Sequence, residues 1–193
     1  MKDDTMDNQQ VTETQLAWLA GIFDGEGTFS MCRSFSKKSR QFQPRCSIVN
    51  SSPTMIIEIM DILKKIGVGF YMREKKYEKS YGNKQMWFIS IQTFLSVKRL
   101  IESVEKYLIA KKPHAKILLD FVNSRNGKKH FNNEMKEYTP EELTMVNDLI
   151  YLNGNQRNRN LNDHTPEFAM MVDMIWSELR GKLAEVAEMS TRH

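Results

Sequence analysis

The feature that most restricts the fold is a change of period over a few residues. Through residues 13–24 apolar positions recur at helical spacing: Leu16, Leu19 and Phe23 form one stripe, and Ala17, Ala20 and Gly21 an adjacent stripe of small residues. From Thr28 the spacing becomes two, with Thr28, Ser30, Cys32 and Ser34 alternating against Phe29, Met31, Arg33 and Phe35. A period-two pattern does not settle as a helix, so the chain is predicted to run from a helix straight into a half-buried strand. The junction is Asp24-Gly25-Glu26-Gly27, two carboxylates each followed by glycine.

The remaining elements follow from the same patterns. Residues 37–45, "KKSRQFQPR", read as a polar, basic turn region leading into a second strand at 46–50 and so a long hairpin. Residues 52–67 read as a helix, with Ser52 as N-cap, Pro53 in the first turn, Gly67 as the stop, and Ile56, Ile59, Met60, Leu63 and Ile66 facing inward. Two further strands are predicted at 69–77 and 85–93, the second with Trp87, Ile89 and Ile91 toward the core and Phe88, Ser90 and Gln92 on the other face. Helices follow at about 96–109 and 112–123. Beyond residue 126 the chain turns polar and acidic, with a helix capped by Thr139 and started by Pro140, an Asn/Arg-rich loop at 153–167 and a last helix at about 166–188. The expected class is α+β: a helix-β-β-helix-β-β-helix core with a four-stranded antiparallel saddle-shaped sheet, plus C-terminal helices. Its units are a frayed tail at 1–11, the core at 12–126 and a helical extension at 127–193 packed on it. No internal repeat is present.

Charge narrows the partners. The net charge of +4 conceals net −5 over residues 1–26, +14 over 27–130 and −5 over 131–193. A basic segment of that kind attracts a polyanion, nucleic acid first, although a solvated lysine-rich surface has the same composition. No apolar run has the length of a membrane span, and the polar, acidic N-terminus has the pattern of neither a secretory signal nor a transit peptide. The expected partner list therefore excludes membranes and the expected compartment excludes secretion. Cys32 and Cys46 make neither a disulfide framework nor a zinc site and read as thiols in a reducing compartment.

Two readings stand for the small-residue stripe: a tight place in the subunit's own core, or close approach of a second helix. The Asp-Gly-Glu-Gly junction likewise reads either as a helix-ending turn or as a ligand set. A carboxylate beside accessible peptide carbonyls offers the hard oxygen donors that Mg²⁺ prefers. Two such sites brought together by a pair of packed helices would suit metal-assisted phosphodiester hydrolysis.

Residues 19–27, Leu19-Ala20-Gly21-Ile22-Phe23-Asp24-Gly25-Glu26-Gly27, resemble the LAGLIDADG motif of homing endonucleases. They match at Leu19, Ala20, Gly21, Asp24 and Gly27, with Glu26 for the second acid. Trp18 and Thr28-Phe29 also suit the family, and the element order is its fold. The similarity spans roughly residues 12–188 and is to the single-motif members, which are homodimers. The resemblance implies a divalent-metal-dependent endodeoxyribonuclease, intron-encoded (group I), that cuts both strands of a long pseudo-palindromic target and leaves 3′ overhangs. Mg²⁺ is the implied cofactor, with Mn²⁺ able to substitute and Ca²⁺ supporting binding without cleavage. The same scaffold also serves intron maturases and DNA-binding proteins without nuclease activity. The implied compartment is an organelle, chloroplast or mitochondrion, or a prokaryotic cytoplasm.

Site roles carry over by position. Glu26 matches the metal-binding acid and the Gly25 carbonyl its backbone partner, while Asp24 matches the more structural first acid. The polar active-site residue at the end of the second strand falls at Ser51 or the adjacent Asn50, neither the Gln frequent there. Lys111 matches the basic residue that stabilises charge near the scissile phosphate, with Lys112 competing for the place. The dimer interface is assigned to Ala17, Ala20, Gly21 and Asp24. The resemblance assigns DNA binding to the sheet face away from the helices. On it stand Ser30, Cys32, Ser34, Lys38, Arg40, Gln43 and Arg45 of the first hairpin, and Arg73, Lys75, Lys76, Phe88, Ser90 and Gln92 of the second. Lys112, Arg157 and Arg159 would add contacts to the phosphate backbone. In residues 70–77 either Met72, Glu74 and Lys76 or Tyr71, Arg73 and Lys75 face DNA, since a slip of one residue exchanges the faces.

Overall fold

The structure is a computed structural model that describes residues 10–36, 39–76, 85–125 and 138–154. Helix α1 (Glu13–Glu26) begins at a capping box in which Thr12 accepts from the Gln15 amide and the Gln15 side chain accepts from the Thr12 amide. It runs without a break into β1 (Gly27–Ser36), as the change of period predicts. Strand β2 (Ser39–Asn50) begins well before residue 46 and includes Pro44. The polar segment expected to be a turn is therefore mostly strand, because ladder pairing to β1 needs only backbone groups, and a proline is tolerated where a strand lacks a second neighbour.

Helix α2 (Pro53–Lys65) has the expected Ser52 cap and proline start, and Gly67 after it adopts a left-handed backbone at φ 67°. Strands β3 (Tyr71–Lys76) and β4 (Gln85–Ile91) lead to α3 (Phe94–Val104), capped by Thr93, then a 3₁₀ turn at Glu105–Tyr107, then α4 (Lys112–Arg125). Helix α5 (Pro140–Leu152) opens with a Thr139/Glu142 capping box.

The four strands form one antiparallel sheet in the order β1-β2-β4-β3. Only residues 46–50 of β2 pair with β4, so the rest of β2 has β1 alone as neighbour. One sheet face presents Phe29, Cys46, Ile48, Ile89 and Ile91, all buried, to Leu19 and Phe23 of α1, Ile59, Ile62 and Leu63 of α2 and Leu100 and Ile101 of α3. Within α2, Ile62 takes a fully buried place that the spacing argument did not assign, while Met60 and Ile66 are only partly buried. Phe23 and Phe29 stack across the α1–β1 junction with ring centroids 5.2 Å apart.

The far end of α4 is fixed by the buried pair Arg125–Glu142 at 3.2 Å, over which Tyr138 lies with its ring 4.6 Å from the guanidinium. The Tyr138 hydroxyl accepts from the Phe42 amide of β2 at 2.8 Å, so the α4–α5 unit grips the long hairpin. No described helix is long and apolar enough to cross a membrane.

Candidate functional site

The site is built on the end of α1. The last carbonyls of a helix have no partner within it. Here Gly27 closes part of that end, its amide donating to Ile22 and Phe23. Glycine is required at 27, because a Cβ there would lie 2.7 Å from the Phe23 Cα and 2.8 Å from its carbonyl oxygen, and against the ring as well. Lys111, just before α4, crosses to the same end: its Nζ donates to the Phe23 carbonyl at 3.0 Å and the Gly27 carbonyl at 2.6 Å. Burial pushes the Lys111 ammonium below its ordinary pKa, opposed by the Asp24 carboxylate. Asp24 braces the loop beside this helix end. Its carboxylate accepts from the amides of Ile109 at 2.7 Å and Lys111 at 2.8 Å and so fixes the loop that carries the lysine.

Glu26 is exposed beside this anchored end. The Asn50 side-chain amide, at the close of β2, donates to the Glu26 carboxylate, and the Asn50 oxygen accepts from the Ser52 amide at 2.6 Å. Of the two positions considered for the strand-end polar residue, the structure brings Asn50 to the acid. Ser51 is exposed in the bend beyond the strand. The choice turned on where β2 ends: Asn50 alternates with Ile48 onto the covered face, and Ser51 is already outside the ladder. Lys112 is exposed, while Lys111 makes every contact just described.

The donors at this helix end are hard oxygen: the Glu26 carboxylate and main-chain carbonyls, of which those of Phe23 and Gly27 already accept from Lys111. Among the described residues no three His, Cys, Asp or Glu side chains cluster as a metal shell. Hard oxygen donors of this kind suit a divalent cation such as Mg²⁺, which keeps most of its positions for water or phosphate.

The sheet register settles which residues share the uncovered face. Ser30 pairs with Arg45 and Cys32 with Gln43, in the alternation opposite to Phe29 and Ile48; Ser34 falls in the same set by register. Tyr71 pairs with Ser90 and Arg73 with Phe88, so Tyr71, Arg73 and Lys75 share the open alternation and Met72, Glu74 and Lys76 share that of Ile89 and Trp87. The Arg73 guanidinium lies 4.9 Å from the Phe88 ring centroid, as neighbours on one face require. Gln92 donates to the Ser90 hydroxyl at 2.8 Å and Ser90 is buried, so that serine is covered rather than presented.

The register sets two of the candidate positions apart from the others. Lys76 falls in the Trp87 set, and Arg40, paired with Phe35, falls in that of Phe29 and Met31 rather than that of Gln43 and Arg45. Lys38, Arg157 and Arg159, and the final helix at 166–188, lie outside the described residues.

The outward face of α1 also differs from expectation. Ala20 is fully buried in the subunit's own core with Leu19 and Phe23, so it is not free to meet a partner. Ala17 and Gly21 are exposed one turn apart, with Gly25 a turn further on and Trp18 at 37% exposure alongside. A Cβ at Gly21 or Gly25 would meet nothing within 4 Å. Nothing inside the protomer requires those two glycines. Three residues gave no signal in the sequence reading. His114, on α4 one turn after Lys111, has a buried Nδ1 with no partner in the structure, and burial lowers its pKa. Asn153 beside the site and Tyr138 at the far end of α4 gave none either, because the contacts to β1 and β2 that matter here are distant in sequence.

A first helix that ends in an oriented acid, above helices packed on one face of a four-stranded antiparallel sheet, defines the class of scaffold. Residues 13–108 match the family model described as a LAGLIDADG-like domain. The chain belongs to the LAGLIDADG family. Among solved structures it resembles the homing endonuclease I-CvuI in complex with an I-CreI target, with 18% identity, a TM-score of 0.55, and coverage of 83% of this chain and 96% of that one. It also resembles the archaeal intron-encoded homing endonuclease I-Vdi141I complexed with DNA, with 18% identity, a TM-score of 0.53, and coverage of 86% and 96%. A third, the group I intron-encoded homing endonuclease I-CeuI complexed with DNA, has 18% identity, a TM-score of 0.52, and coverage of 86% and 78%. At these identities the likeness is one of fold. No curated protein matches the sequence.

Proposed function

We propose that this chain is a site-specific, divalent-metal-dependent DNA endonuclease that acts as a homodimer on a long pseudo-palindromic target. The observation that carries the reading is Glu26: an exposed carboxylate at the end of the motif helix, oriented by Asn50 and set beside the anchored Lys111. Two copies of α1, meeting through Ala17, Gly21 and Gly25, would bring two such acids to one axis, one for each strand.

Glu26 and the Gly25 carbonyl would hold a Mg²⁺ ion, which when bound lowers the pKa of water and offsets phosphate charge. Asn50 fixes the carboxylate rotamer. Lys111 has its ammonium set at the helix end by two carbonyls and supplies positive charge near the phosphate that gains negative charge. The open sheet face, with Gln43, Arg45 and Arg73 among polar neighbours, suits base edges in a major groove. Scissile bonds facing the two Glu26 sites across the minor groove would leave 3′ overhangs. Mn²⁺ should replace Mg²⁺, and Ca²⁺ should support binding alone.

The test is Glu26→Gln on plasmids carrying the DNA that flanks the reading frame, joined as an uninterrupted exon junction. The wild-type protein with Mg²⁺ should linearise the plasmid, and Glu26→Gln should bind the same DNA and leave it uncut. A variant that cuts at the wild-type rate removes Glu26 from the reaction. A wild-type protein that binds without cutting points instead to a binding or splicing-assisting protein on the same scaffold.

A further inference from the structure

Strand β1 is the edge of the sheet, and an edge strand turns the carbonyls of alternate residues away from its neighbour. Gly27 and Phe29 are two residues apart, so their carbonyls point to the same side. Both are capped by side chains from beyond the sheet: Lys111 Nζ on Gly27 at 2.6 Å, and Asn153 Nδ2 on Phe29 at 2.9 Å. Asn153 is the residue that closes α5, and the same Nδ2 also donates to the Leu149 carbonyl at 2.7 Å. The start of α4 and the end of α5 thus clamp successive carbonyls of β1, immediately after Glu26. His114, one turn after Lys111 on α4, has a buried Nδ1 without a partner in the structure. The side chains that close the clamp, Lys111 and Asn153, lie outside residues 13–108, the part that matches the family model, while the carbonyls they cap lie inside it.

We propose that Asn153 is a positioning residue for the cleavage reaction: by tying the edge of β1 to the end of α5, it fixes the strand whose first residue holds Lys111 and whose preceding residue is Glu26. This rests on the endonuclease reading. Asn153 touches no reacting atom and acts through the Gly27–Phe29 edge. Its loss leaves the sheet face that meets DNA in place and loosens the distance between the acid and the lysine.

The experiment compares Asn153→Ala and Asn153→Asp with Thr139→Ala in the full chain. Asn153→Asp keeps the size and replaces the donor with an acceptor facing two carbonyls. Thr139→Ala weakens the same helix at its other end by removing its cap. Single-turnover cleavage at saturating protein, and DNA affinity in Ca²⁺, are measured for each. Both Asn153 variants should cut about tenfold more slowly with unchanged affinity, while Thr139→Ala, at matched loss of melting temperature, should cut at the wild-type rate. Asn153→Gln, which keeps an amide donor, should recover part of the rate. Equal cleavage rates for Asn153→Ala and the wild type overturn the proposal, as does an equal slowing by Thr139→Ala.

A readout without DNA separates this inference from the endonuclease reading. Hydrogen exchange of the peptide covering residues 24–31 should be faster in Asn153→Ala and unchanged in Thr139→Ala. If the wild-type protein cuts no DNA, the endonuclease reading fails and exchange alone decides whether the clamp exists; unchanged exchange in Asn153→Ala overturns it.

Discussion

Replacing Gly21 by alanine separates the two things a small residue on α1 can do. Within the protomer the new methyl meets nothing within 4 Å, so it brings no clash. Glycine inside a helix is about 1 kcal/mol less favourable than alanine, so the isolated protomer should gain about that much stability. In the proposed dimer, Gly21 faces the same helix of a second copy, and a methyl inserted into a close backbone contact costs about 1–3 kcal/mol. At 1.4 kcal/mol per factor of ten, the dimer dissociation constant should rise by roughly 5- to 150-fold. The two effects have opposite signs and are read separately. Urea denaturation at concentrations where the protein is monomeric gives the first, and sedimentation velocity over a dilution series gives the second. A protomer that gains stability while the dimer constant stays unchanged would show that α1 does not meet its copy through this face, and the two-acid arrangement would lose its geometric basis.

Gly27→Ala should behave in the opposite way within the protomer, because the Cβ would press on the Phe23 backbone at 2.7 Å and 2.8 Å, which cannot rotate aside. A loss of about 3 kcal/mol in the urea midpoint analysis is expected, and a loss below about 0.5 kcal/mol would contradict the packing. Asp24→Ala removes the acceptor of two amides; since Ile109 is 84% exposed, water can serve that one, and the expected loss is about 2 kcal/mol rather than twice that. It should also lower cleavage by releasing the Lys111 loop, and intact single-turnover activity would refute that link.

The His114 imidazole is held below its ordinary pKa of 6.5 by burial and by Lys111, against the opposing Leu152 carbonyl and Asp24 carboxylate. The unfolded chain therefore takes up a proton at higher pH than the folded one. The stability associated with this group is complete above 6.5 and declines as pH falls from there toward the lower folded value. His114→Gln should flatten the dependence of unfolding free energy measured over roughly pH 5–8, and an identical slope in wild type and variant would place the titration elsewhere.

Much of this molecule was legible because it is local. The caps at Ser52 and Thr139, the helical stripe containing Leu19 and Phe23, and the alternation of Ile89 and Ile91 are each written within a few residues. Glu26 stands out because an acid between glycines at a change of period is a local pattern, whereas Lys111 was picked out only through the family resemblance. Strand parity was not legible. Which alternation Arg40 and Lys76 join is open in the sequence, because a one-residue step exchanges faces and the sequence carries no mark of pairing in a polar hairpin. Ala20 was misassigned for a related reason: two adjacent small residues on a helix differ in direction by about 100°, and only the packed sheet decides which one it covers.

The sequence by itself determined the element order, the helix starts and the concentration of positive charge in the middle of the chain, since these depend on neighbours in the chain. Tertiary structure alone decided that Asn50 rather than Ser51 orients the acid, that Gly27 is demanded by its own fold while Gly21 is not, and that Asn153 closes the edge of β1 next to Lys111. Each of these is a contact between residues far apart in the chain, 24 positions for Asn50 with Glu26 and 124 for Asn153 with Phe29. Contacts of that span are set by how the sheet and helices pack, and the packing is a property of the whole core rather than of either residue.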